Sequence, residues 1–104
     1  MDIIDRLKVL RSKNAGPFVI TFDVVFGEAE DYETVKQRLG EENIAAAFRV
    51  NKKDVLSFGF FDDLKAAKIS LRRRQTCGHP GDSDCYGMNQ EEPLAGLLRE
   101  LVPN

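Results

Sequence analysis

The sequence lacks any long apolar run. Its most hydrophobic stretch, Phe18 to Phe22, meets a charge at Asp23, far short of the ~20 residues a membrane-spanning helix requires, so no transmembrane helix is expected. Excess positive charge is missing too: the 104 residues carry a formal net charge of -2 at pH 7. No global field draws this chain onto phosphate backbones or anionic lipid, and nucleic acid is not an expected partner. The opening Met1-Asp2-Ile3-Ile4-Asp5 has acidic residues where a secretory signal has basic ones, and no apolar h-region follows. The expectation is a cytoplasmic protein whose two cysteines, Cys77 and Cys85, are free thiols. The single histidine, His79, sits beside Pro80 with no Gly-x-Ser-x-Gly elbow anywhere in the chain, which leaves a serine or cysteine triad unsupported.

What is present is the composition of a folded domain, with 42% hydrophobic and 31% charged residues. The length suits one domain, residues 1–104, and leaves no room for a second core. Ile3, Leu7 and Leu10 open the chain at helical spacing, giving a helical turn and then a strand through Ser12. Asn14-Ala15-Gly16-Pro17 forces a turn. Phe18, Ile20, Phe22, Val24 and Phe26 then alternate with Val19, Thr21, Asp23 and Val25, the clearest strand signature in the sequence. Asp31 is the expected N-cap of a helix carrying Tyr32, Val35 and Leu39, with Gly40 after its end. A second short helix runs through Ile44, Ala47 and Phe48. Residues 54–61 read as a strand with Leu56, Phe58 and Phe60 on one face. After a turn at Asp62-Asp63-Leu64-Lys65, Ala67, Ile69 and Leu71 alternate with Lys68, Ser70 and Arg72 to form its hairpin partner. No period survives from Gln75 to Gln90, and Leu94, Leu97, Leu98 and Leu101 mark a final helix behind Pro93. Strands, then helices, then a hairpin predict an α+β fold: a two-layer sandwich, a mainly antiparallel sheet of about four strands with helices packed on one face.

Two polar segments are candidates for chemistry. In Arg11-Ser12-Lys13-Asn14-Ala15-Gly16 two cations precede a glycine turn whose backbone N–H groups can converge on a carboxylate or phosphate. The spacing matches no P-loop, and a solvated basic turn explains the same residues. The second segment, Gly78 to Gly87, is dense in donors and acceptors, as loops aimed by a rigid scaffold often are, although a plain surface connection has this composition as well. Asp82 and Asp84 resemble the first ligands of a calcium loop, but Tyr86 and Pro93 stand where the later ligands belong, which excludes an EF-hand. A looser magnesium site using Asp82, Asp84 and the distant Asp23 stays open. Cys77, His79 and Cys85 fit no closed zinc site. Arg72, Arg73 and Arg74 lead into this loop and are the natural counter-charges for an anion bound there. The residues name no cofactor.

Two stretches carry a family resemblance: Arg11 to Phe18 running into Thr21-Phe22-Asp23, and Pro80 to Asp84 with Tyr86-Gly87 and Pro93-Leu94. With Phe60-Phe61-Asp62 between them, the chain resembles, over almost its whole length, a short domain of unknown function found beside or fused to acyclic terpene utilisation (AtuA) proteins. The resemblance implies a small accessory subunit or domain that partners a larger protein of that type in catabolism of branched carboxylic acids or their coenzyme A thioesters. In that picture Arg11, Lys13, Asn14, Gly16 and Arg72 hold the anionic group, and Asp82, Asp84 and Tyr86 position substrate or metal, Tyr86 as a proton donor if its phenol is desolvated. The resemblance also leads one to expect a histidine after the tyrosine-glycine pair, where this chain has Glu91. A homo-oligomeric anion-binding or regulatory domain without catalysis is the alternative, and a free-standing small enzyme built on the same loop is a third reading.

Overall fold

The computed structural model describes residues 2–16, 18–72 and 91–103. A short helix α1 (Ile3–Arg6) leads directly into strand β1 (Leu7–Asn14), and a hairpin turn returns the chain as β2 (Val19–Phe26). Two helices follow, α2 (Ala29–Arg38) and α3 (Glu41–Phe48), then a 3-10 turn at Lys52–Asp54, the hairpin strands β3 (Val55–Phe61) and β4 (Ala66–Arg72), and α4 (Glu92–Leu101). The strands form one open sheet in the order β1-β2-β4-β3, every neighbouring pair antiparallel. The expected α+β class, the four strands and the single helical layer are what the structure has.

Strand alternation builds the core. Ile20, Phe22, Val24 and Phe26 of β2 are buried, as are Ala67, Ile69 and Leu71 of β4, and these two central strands present them to the helices. Tyr32 and Val35 of α2, Ile44 of α3, and Leu94, Leu97, Leu98 and Leu101 of α4 meet them from the other side, with Ile3 of α1 closing one end. In α4 the buried positions recur three and four apart, one continuous apolar stripe along a helix whose second residue is Pro93.

Local differences from the sequence reading have physical reasons. Phe18 leaves the strand and lies half exposed in the turn, because β1 and β2 pair only as far as Asn14 and Ile20, and Ala15 N–H donates to Val19 O at 2.8 Å. Gly16 takes φ 124° in that turn, a conformation side-chain-bearing residues resist. The second helix begins at Ala29, before Asp31; Asp31 faces inward and accepts a two-toothed ion pair from Arg6, at 2.8 and 3.2 Å. Gly40 follows the C-cap Leu39 of α2 as expected and, with an extended backbone, is also the N-cap of α3. In β3 an irregularity between Val55 and Ser57 shifts the register, so that Val55, Phe58 and Phe60 pack against the core while Leu56 is exposed. A bulge of this kind reverses the face of the residues preceding it.

Polar pairs lock the layers. Gly27 lies so close to α1 that a Cβ there would stand 2.3 Å from the carbonyl oxygen of Arg6. Arg38 of α2 donates to the Leu101 carbonyl at the end of α4 (2.8 Å), and Arg99 of α4 ion-pairs with Asp2 at 2.7 Å. Tyr32, buried between Phe26 and Phe60, donates its hydroxyl to Asp62 at 2.5 Å, and Lys36 donates to the same carboxylate oxygen at 2.7 Å. The β3–β4 turn is thereby tied to α2, and the Phe60-Phe61-Asp62 stretch has an architectural role.

A candidate anion site on the open face of the sheet

The helices cover one face of the sheet, and the alternate side chains of the strands point away from them. Register fixes which residues meet on that open face. Arg11 of β1 stands opposite Asp23 of β2, which stands opposite Lys68 of β4; one row further, Lys13, Thr21 and Ser70 are aligned, and Arg72 lies opposite Val19. β3 adds Ser57 beside Ser70 and Gly59 beside Lys68. The row beyond Arg11 is apolar: Val9, Val25, Ala66 and Phe61.

At the middle of this face the Thr21 and Ser70 hydroxyls lie 3.2 Å apart. One hydroxyl donates to the other, which leaves a hydrogen free to point outward. Strands are about 5 Å apart and same-face residues about 7 Å apart along a strand. Arg11, Lys13, Lys68 and Arg72 therefore surround the hydroxyl pair on neighbouring positions. Asp23 is the one acidic residue among these rows, and it is engaged by Arg11 at 3.3 Å. The face thus carries four cations against one carboxylate on a chain whose net charge is -2, so the acidic residues are concentrated elsewhere. Among the described residues Lys13, Lys68 and Arg72 have no acidic partner. An oxyanion set over the hydroxyl pair finds hydroxyl donors below and ammonium or guanidinium groups around it, the donor set that suits carboxylate and phosphate.

Of the residues expected to bind an anion, the structure brings Arg11, Lys13 and Arg72 onto one face. Asn14 stands opposite Ile20 and so belongs to the face that meets the helices, and Gly16 lies in the turn beyond the strand ends. Thr21, Lys68 and Ser70 are contributions that sequence reasoning missed as site residues. Their outward alternation is readable, but the β2–β4 pairing that sets them beside Lys13 is not. Asp82, Asp84 and Tyr86 lie outside the described residues, as do Cys77, His79, Cys85, Arg73 and Arg74. Asp23, the described member of the magnesium alternative, is held by Arg11, and among the described residues no three acidic, histidine or cysteine side chains cluster as metal ligands. Glu91, which stands where the resemblance anticipates a histidine, immediately precedes α4 and accepts a hydrogen bond from Ser12 Oγ of β1. The described residues that flank positions 73–90, Arg72 and Glu91, therefore both adjoin the end of the sheet where β1 and β2 meet.

The helical side offers a groove of about 310 Å³ between α3 and α4, lined by Asn43, Ala47, Gly96, Leu97 and Glu100 among others. Among the described residues it has no cation at its walls, and it lies on the helical side, away from the basic rows. No helix among the described residues is long and apolar enough to cross a membrane.

An open four-stranded antiparallel sheet with helices on one face, and basic and hydroxyl residues aligned on the other among the described residues, defines the molecule as a small α+β domain. The chain belongs to the family described as Domain of unknown function (DUF4387), whose model matches residues 3–98. No curated protein and no solved structure matches it.

Proposed function

We propose that this domain is an accessory subunit that holds the anionic end of a carboxylic acid or acyl thioester on its open sheet face, working against a larger protein of the acyclic terpene utilisation type in catabolism of branched acids. The observation that carries the reading is the ring of Arg11, Lys13, Lys68 and Arg72 around the Thr21–Ser70 hydroxyl pair. Magnitude supports a partner. An exposed cation contributes about 1 kcal/mol to an anion at contact in water, so an excess of three gives at most roughly 3 kcal/mol, equivalent to an affinity no better than several millimolar. The same charges act much more strongly once a second surface closes over them and excludes water. The apolar row that ends in half-exposed Phe61 gives such a surface something to pack on. Two copies of this face, each with an excess of three positive charges, repel one another, which favours a partner of different sequence.

Native mass spectrometry of the tagged chain from its own cells tests the partnership, with a stable complex containing a larger second protein as the expected result. In the complex, Lys13→Gln with Lys68→Gln should raise KM for the acyl substrate roughly tenfold, each removed cation being worth about 1 kcal/mol or less. An unchanged KM would remove the sheet face from the substrate site.

The second reading, a homo-oligomeric anion-binding or regulatory domain without catalysis, is favoured by the chemistry of the described open face, which holds no histidine, cysteine or tyrosine. A thermal shift with carboxylates or phosphate, lost in the same double variant and accompanied by no larger partner, would select it.

A further inference from the structure

The two edges of the sheet are built differently. β1, at one edge, carries Lys8, Arg11 and Lys13, charges of the kind that keep a free edge from pairing with other chains. β3, at the opposite edge, reads Val-Leu-Ser-Phe-Gly-Phe-Phe, with no charge in its seven residues. Among the described residues its sole strand neighbour is β4. Leu56 and Phe61, near its two ends, are 41% and 49% exposed. An uncharged apolar edge with a row of unpaired N–H and C=O groups is a template for another strand.

The flanks of β3 indicate which strand. Lys52, Lys53 and the buried Asp54 precede it, and Asp62 and Asp63 follow it; Lys52 is already paired with Glu42 and Asp62 with Lys36, so Lys53 and Asp63 are the charges the two ends offer to a partner strand. When two copies pair antiparallel about a two-fold axis near Phe58, the Lys52-Lys53 end of each lies beside the Asp62-Asp63 end of the other. Attraction occurs twice, and the Leu56 end of one copy covers the Phe61 end of its partner. Parallel pairing sets lysines against lysines and aspartates against aspartates. Lys53 and Asp63 have no ion-pair partner among the described residues. We infer that β3 is a homodimerisation edge, through which two copies of this chain join antiparallel into one continuous eight-stranded sheet.

A two-fold axis between antiparallel edge strands stands perpendicular to the sheet, so both open faces lie on the same side of the dimer. The assembly doubles the basic surface without bringing the two basic faces into contact. It does not depend on what those faces bind.

The experiment is sedimentation velocity on the full chain at about 100 µM, well above the dissociation constant of a micromolar complex. The wild-type protein should sediment as a dimer. Ser57→Lys, which sets a charge at the middle of the edge, should give a monomer with unchanged circular dichroism. Asp63→Lys should weaken the dimer roughly 3- to 10-fold, two exposed ion pairs being replaced by repulsion. Adding Lys53→Asp should restore it, since the pairs then form with reversed signs. Hydrogen exchange on wild-type protein should show the β3 amides slowing as concentration rises. A monomer at this concentration overturns the inference. So does a dimer whose dissociation constant, read from a dilution series, is unchanged by Ser57→Lys and Asp63→Lys, or one whose β3 amides exchange at the monomer's rate. Anion binding by a monomer leaves the proposed function standing while this inference fails, and a dimer that binds no anion does the reverse.

Discussion

Tyr32 shows how a single side chain is set by its surroundings. Its ring is buried against Phe26 and Phe60 while its hydroxyl reaches Asp62, with the Lys36 and Lys65 ammonium groups placed over the ring, 5.8 and 5.3 Å from its centroid. Burial, then the hydrogen bond and negative charge of Asp62, push the phenol up to about 12, from an ordinary 10.0. The same contacts, led by the hydrogen bond from Lys36, lower Asp62 below its ordinary 3.8. The phenol of the unfolded chain ionises near pH 10 and that of the folded chain near 12, so between these values the unfolded form binds fewer protons and stability falls as pH rises. At the acid end the contribution of Asp62 is present above 3.8 and is lost as pH falls through its lower folded value. In a Tyr86→Phe background, the tyrosinate absorbance of the folded chain should have its midpoint near 12, and Asp62→Asn should move it towards 10. Gly27 makes a second prediction at this scale. A methyl there must displace the Arg6 carbonyl, so Gly27→Ala should cost about 1–3 kcal/mol in urea unfolding, as overpacking does.

Among the elements, β2 and α4 are the ones whose residues declare them. The alternation of β2 is borne out from Ile20 to Phe26, all four inward residues being at most 7% exposed, and the leucines of α4 are buried at the expected positions. Leu98→Ala should therefore cost about 2–5 kcal/mol, the range for a leucine in a closed core, read as a lower urea midpoint with unchanged slope. β3 is where the pattern misleads. Its run of Leu56, Phe58 and Phe60 alternates, yet the bulge turns Leu56 outward and Val55 inward, and a one-residue irregularity is invisible to a period-two pattern. Asp31 is a similar case. As a short acidic residue before an apolar run it has the composition of a cap, but the chain is already helical two residues earlier, and Arg6 supplies a tertiary partner that no local signal announces.

At the scale of the whole molecule, charge is sorted by face. The four α-helices carry eight of the 17 acidic residues, while the outer side of the sheet has Arg11, Lys13, Lys68 and Arg72 against Asp23 alone in those rows. Binding of inorganic phosphate or a carboxylate to this face should weaken as salt increases, because exposed charges are screened over about 10 Å at 0.1 M ionic strength. Titration calorimetry at two salt concentrations checks this, and salt-independent binding would indicate a different, enclosed site. The Thr21→Val, Ser70→Val pair should reduce anion affinity without altering that salt dependence, since it removes hydroxyl donors and leaves the cations in place.

By itself the sequence determined the class of the fold, the inward faces of β2, β4 and α4, and the cationic character of Arg11, Lys13 and Arg72, because each depends on periodicity or composition within a short stretch of chain. Only the tertiary structure decided that these cations share one face with Lys68, Thr21 and Ser70, that Glu91 meets Ser12, and that the uncharged strand β3 lies at an edge. These follow from strand order and register between segments about 10 to 80 residues apart. Such pairings are selected by the joint packing of the whole core, which no local pattern encodes.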